Sequence, residues 1–131
     1  MIVLDASAVV ELLLNTEAGE VVARRVADPR ESLHAPHLLA VEVAQALRRY
    51  AGNGSIPPDA AAAALDDLAT LDIAHYEHEP LLPRVWELRD NVTAYDAVYL
   101  ALAESLDAPL VTFDSRLSAA PGHRARIEIP T

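Results

Sequence analysis

Four carboxylates stand where apolar side chains are expected. Asp5 ends the run Ile2-Val3-Leu4. Glu42 interrupts Leu38-Leu39-Ala40-Val41 and Val43-Ala44. Asp96 lies between Tyr95 and Ala97-Val98-Tyr99-Leu100, and Asp114 follows Leu110-Val111-Thr112-Phe113. Burying an unpaired charge in such surroundings is costly. Two like charges about 4 Å apart repel by roughly 4 kcal/mol at an effective dielectric near 20. If the fold gathers the four acids, they must take up protons or bind a hard cation. All-oxygen ligands suit Mg²⁺ or Mn²⁺. The chemistry such a set offers is divalent-metal hydrolysis. Ser7 and Thr112, each two residues from one of these acids, are auxiliary candidates to hold a metal-bound water or a phosphate oxygen.

Three of the acids also have a structural explanation. Asp5 and Asp114 can cap helices, because Asp is a favoured N-cap. Thr93-x-x-Asp96 resembles a capping box, with the acid near the positive end of the helix dipole. Glu42 has no such explanation. Its neighbours three and four residues away are Leu38, Leu39, Gln45 and Ala46, and none is a cation. Glu11, also set among apolar residues, reads as an exposed position on the first helix. The five histidines (34, 37, 75, 78 and 123) show no paired spacing of the zinc-hydrolase kind, and His75-x-x-His78 reads as a surface feature.

Positioning these residues requires strands that alternate with helices. Met1–Asp5, Ser32–Ala35, Asp72–Tyr76, Leu110–Phe113 and Arg126–Ile129 read as strands. Ala6–Leu14, Glu17–Asp28, His37–Tyr50, Pro57–Leu71, Leu81–Arg89 and Thr93–Ser105 read as helices, with Asp114–Ala119 a short helix or turn. Asn15-Thr16 breaks the first helical run, and Pro29 stops the second. Gly52–Pro58 reads as the tip of a helical hairpin. This alternation predicts an α/β domain with a central parallel sheet. In such sheets ligands bind beyond the C-terminal strand ends, where Asp5 and Asp114 fall.

At 131 residues the chain is expected to be one domain with a real core. Cysteine is absent, which excludes disulfides, thiolate metal sites and a cysteine nucleophile. No apolar run approaches the roughly 18 residues that span a bilayer, and no basic segment precedes the N-terminal apolar stretch. A cytoplasmic protein is expected. The net charge of -10 argues against a nucleic-acid partner only if the charge is uniform. All ten basic residues are arginines, most of which read as solvated helix faces.

Val3-Leu4-Asp5-Ala6-Ser7-Ala8 resembles the opening motif of PIN-domain ribonucleases. So do Glu42–Arg49, the stretch Thr93–Ala103, and Thr112-Phe113-Asp114-Ser115-Arg116-Leu117 followed by Gly122-His123. Order and spacing match along the whole chain. Within that family it looks most like the VapC toxins of VapBC toxin–antitoxin systems. The resemblance implies a PIN-like fold and an endoribonuclease whose acidic quartet is Asp5, Glu42, Asp96 and Asp114. It implies Mg²⁺ or Mn²⁺, with Asp5 and Asp96 as direct ligands and Glu42 and Asp114 acting through water. The products would carry a 5′-phosphate and a 3′-hydroxyl. Implied partners are RNA (tRNA, rRNA or mRNA), a VapB antitoxin near the site, and a second copy of the chain in a homodimer. One departure is Gln45, where many relatives have Asn three residues after the helical Glu. Two alternatives stay open: a PIN nuclease that processes RNA without an antitoxin, and a silent binding module whose acids are caps.

Overall fold

A computed structural model describes residues 1–131. Five parallel strands, β1 (Ile2–Leu4), β2 (Leu33–Pro36), β3 (Ile73–Tyr76), β4 (Leu110–Val111) and β5 (Ile127–Glu128), form one sheet in the order β3-β2-β1-β4-β5. Seven helices connect and flank them: α1 (Ala6–Leu14), α2 (Glu17–Arg25), α3 (Leu38–Gly52), α4 (Pro58–Leu68), α5 (Leu82–Glu87), α6 (Ala94–Leu106) and α7 (Arg116–Ala119).

Strand β1 is central and fully buried, which is why its sequence is uninterruptedly apolar. Alternation sends Ile2 and Leu4 to one face and Val3 to the other. On the first face they meet Val9, Val22, Leu39, Val43 and Leu47 from α1, α2 and α3. On the second, Val3 meets Val85, Leu88, Leu100 and Leu117. Helix α6 fills that second layer; every residue from Ala97 to Ala103 is buried. The result is a sheet with helices on both faces.

The strand order reverses at β1. Chain connections lead to β2 on one side and, after a long excursion, to β4 on the other. A crevice therefore opens between the C-terminal ends of β1 and β4, the usual ligand position in an open α/β sheet. Val3 pairs with Leu110 and Leu4 with Val111, so Asp5 emerges beside Thr112.

Element ends depart from the sequence expectation for local reasons. Helix α2 stops at Arg25 rather than Asp28, because Pro29 disfavours helical geometry at the residue before it. Helix α4 ends at Leu68, and a 3₁₀ turn at Glu79–Leu81 leads into α5, which closes at Glu87. Strand β4 has only two paired residues, although the Thr112 amide still donates to the Glu128 carbonyl at 3.0 Å. Asn15 takes the left-handed conformation at φ 55° and ends α1, where the sequence placed a break. No helix is long and apolar enough to cross a membrane.

Candidate active site

Asp5 leaves β1 and enters α1 at once. Its Oδ1 accepts from the Ala8 amide at 3.1 Å and from the Ser7 hydroxyl at 2.6 Å. The buried Thr112 hydroxyl donates to Oδ2. Ser7 is itself anchored by the Phe113 amide at 2.9 Å, and Thr112 accepts from the Asp114 amide at 3.0 Å. The two hydroxyls lie 3.4 Å apart. Ser7 and Thr112 thus lock the Asp5 carboxylate between the ends of β1 and β4. Burial still pushes its pKa above the usual carboxylate range, despite those hydrogen bonds.

Glu42 projects from α3 and is half-buried. Burial raises its pKa, the Tyr99 hydroxyl lowers it, and the negative charges of Asp5 and Asp96 raise it further. Asp96 sits in the first turn of α6, where its amide donates to the capping Thr93 hydroxyl at 3.2 Å. Burial raises the Asp96 pKa, Asp114 adds to the rise, and Arg116 opposes it. Asp114 differs. Arg116 grips it through three contacts of 2.7–3.1 Å and holds its carboxyl below the usual range.

The fold therefore brings Glu42 within electrostatic reach of both Asp5 and Asp96 and sets Asp114 beside Asp96. Capping and clustering coexist: Asp5 caps α1 with one oxygen, whereas Asp96 receives a cap through its backbone. No three His, Asp or Glu side chains form a ready-made cage for an ion. The oxygen donors instead divide between two openings, Ser7 and Glu42 lining one and Asp96 and Asp114 the other, with Asp114 turned toward Arg116.

Sequence reasoning missed Tyr99. It lies one turn beyond Asp96 on α6, 2% exposed. Its hydroxyl is buried and makes no hydrogen bond of ordinary geometry, although the Glu42 carboxylate lies near enough to interact with it. Burial first, and then Glu42, Asp5 and Asp96, push its pKa far above the usual phenol value, so it stays a neutral donor. An unmet buried hydroxyl costs about 1–3 kcal/mol. A phenol in an apolar helical run reads as core, so only the assembled fold exposes the misfit.

Two further expectations change. Glu11 is half-buried rather than exposed; it takes the Thr16 hydroxyl and lines a cleft with Ser7 and Glu42. His78 caps α3, its Nε2 accepting from the Leu38 amide at 2.9 Å, so it is structural rather than a surface feature.

The fold and this cluster meet a clear counterpart. The PIN domain profile matches residues 2–122. The chain belongs to the PIN-domain family. It is 48% identical over 129 residues to ribonuclease VapC1 of Mycobacterium tuberculosis, an alignment covering 97% of this chain and 96% of that protein. Among solved structures, VapC20 of M. tuberculosis, described as a sarcin-ricin loop cleaving toxin, superposes with a TM-score of 0.72 at 18% identity, over all of both chains. VapBC2 from Rickettsia felis, solved on a DNA fragment from its promoter, superposes with a TM-score of 0.71 at 14% identity, covering 98% of each chain. At those identities the likeness is one of fold. In this PIN domain Asp5 and Asp114 stand just past the ends of β1 and β4, Glu42 lies on α3, and Asp96 lies in the first turn of α6.

Proposed function

We propose that this single domain, residues 1–131, is the ribonuclease toxin of a VapBC pair. It hydrolyses RNA phosphodiesters at Asp5, Glu42, Asp96 and Asp114 with Mg²⁺ or Mn²⁺. The observation that carries this reading is the meeting of Asp5, Glu42 and Asp96 around an unpartnered phenol, in a chain nearly half identical to a VapC ribonuclease. Three crowded carboxyls with raised pKa values and only oxygen donors suit a hard divalent cation.

Such an ion, held by Asp5 and Asp96, would lower the pKa of water and stabilise charge on the scissile phosphate. Ser7 and Thr112 fix the Asp5 carboxylate in one orientation before substrate arrives. Glu42 accepts the proton of the attacking water. Asp114, once released by Arg116, orients water from the opposite wall. Arg116 is 84% exposed and can turn to a substrate phosphate. Hydrolysis leaves a 5′-phosphate and a 3′-hydroxyl. In the same reading a VapB antitoxin blocks the crevice, an antitoxin arginine pairing with the acids. The chain acts as a homodimer in the cytoplasm. Treating RNA with the purified chain and identifying the fragment ends tests the reading; fragments with a 2′,3′-cyclic phosphate would refute it.

Tyr99 is the positioning residue of this scheme: its neutral hydroxyl, close to the Glu42 carboxylate, is the donor that would hold that group toward the water once ion and substrate are bound. Tyr99→Phe removes a hydroxyl that has no formed partner, so the metal-free melting temperature should stay level or rise. Outer-shell losses typically cost about 10–100-fold in activity or metal affinity. The expected result is a kcat about tenfold lower at nearly unchanged KM. An unchanged kcat would make Tyr99 a core residue only.

A further inference from the structure

Beside the acids, α1 and α3 enclose a cleft of about 430 Å³ that opens from Ser7 and Glu42. That volume lies within the roughly 300–1,000 Å³ of small-ligand pockets. Its walls follow from helical periodicity. Glu42, Gln45, Ala46 and Arg49 recur on one face of α3, and Ala6, Ser7, Val10 and Glu11 recur on one face of α1. Phe113, just past β4, closes one end.

The polar groups here have unspent bonding capacity. Gln45 makes no side-chain hydrogen bond, and the Arg49 side chain makes neither an ion pair nor a hydrogen bond. Both are exposed. Glu11 uses Oε2 to accept from Thr16 and keeps Oε1 free. An amide, a carboxylate oxygen and a guanidinium thus surround a slot with an aromatic end. Unstacked RNA bases are recognised by such a combination: stacking on a ring and hydrogen bonds along the base edge.

We infer that this cleft is a nucleobase subsite, holding the base of the nucleotide adjoining the scissile phosphate. The inference rests on the ribonuclease reading above. Gln45 both donates and accepts along the base edge. Arg49 meets the flanking phosphate. The Glu11 carboxylate only accepts, so it favours bases bearing an exocyclic amino group. Uracil offers it only N3–H, flanked on both sides by carbonyl oxygens that repel a carboxylate. The additional methylene of Gln45, relative to Asn, carries its amide farther into the slot than an Asn would reach.

The test is cleavage of a randomised RNA oligonucleotide pool by the parent enzyme and by Gln45→Leu, with cut sites read by sequencing and Mn²⁺ affinity read by calorimetry. The parent is expected to prefer an amino-bearing base at one position adjoining the cut. Gln45→Leu is expected to lose about tenfold of that discrimination, the scale of one good polar base contact, while Mn²⁺ affinity stays the same. Superimposable cut-site profiles, or a parent preference for uracil at that position, would overturn the subsite and leave the cleft to a protein ligand. A parent that cuts no RNA removes the ribonuclease reading, and the subsite with it.

Discussion

Replacing Asp5 by Asn is expected to reduce RNA cleavage by more than about 100-fold and to raise the melting temperature of the metal-free protein. The loss follows from position. Outer-shell residues already cost about 10–100-fold, and Asp5 is assigned as a direct ligand. The gain follows from electrostatics. Burial disfavours the ionised form of Asp5, in a cluster where Glu42 and Asp96 also carry raised pKa values. Asn keeps an oxygen for the Ala8 amide and is as good an N-cap as Asp. The variant therefore sheds repulsion and keeps the cap, although the Thr112 hydroxyl that donates to Oδ2 must turn to accept from the new amide.

The sign of the pH dependence is fixed by the same shifts. A carboxyl whose pKa is raised by folding binds its proton more tightly when folded. Its stabilising contribution is fully present below the unfolded value, near 3.8 for Asp5, and is lost as pH rises through the raised value. The parent's deficit against Asp5→Asn should thus be greatest near pH 7 and shrink as pH falls toward that lower limit. His34 works the other way, since burial holds its imidazole below the usual value. Because both proteins carry His34, the difference between their melting temperatures removes it. A difference that widens on acidification would contradict the electrostatic account.

Gly19→Ala is expected to cost more than about 3 kcal/mol, the upper end of overpacking penalties. Helices α1 and α2 meet in a tight corner. Thr16 caps α2 by accepting from the Gly19 amide at 3.0 Å and donates to the Glu11 carboxylate. A Cβ on Gly19 would lie 2.0 Å from the Glu11 carbonyl oxygen and 2.6 Å from its carbon. Backbone atoms cannot swing aside, so the helices must separate. That outweighs the roughly 1 kcal/mol that alanine ordinarily gains over glycine in a helix. For a chain of this size the melting temperature should drop by about 10 °C. Gly52, with open space around its missing Cβ, is the control: Gly52→Ala should be neutral or stabilising. A Gly19→Ala protein that melts with its parent would show that the corner relaxes freely.

How far the site was legible depended on the residue. The acids stood out because each broke an apolar pattern, and Glu42 did so without a nearby cation or cap. The parallel sheet was legible because β1 and β4 are buried on both faces and so read as continuous apolar runs. The acids at their ends then fall at one sheet edge. Tyr99 was hidden because an aromatic in the α6 run Ala97–Ala103 carries no sign that its hydroxyl lacks a partner. Glu11 was misread because its burial comes from the α1–α2 corner, a contact between helices that periodicity within α1 does not encode. The Asp114–Arg116 clasp is likewise tertiary in effect: the spacing is local, but its consequence is to hold one acid below the usual carboxylate range while Asp96 beside it is raised.

These acids are proposed to act together through a divalent cation to cut RNA. The most direct test of that role is cleavage of RNA by the chelator-stripped protein across a titration of Mg²⁺ or Mn²⁺. No cleavage is expected before the ion is added, saturable recovery as it is added, and no recovery in Asp5→Asn at the same concentrations. Cleavage that proceeds equally in the presence of chelator would contradict it.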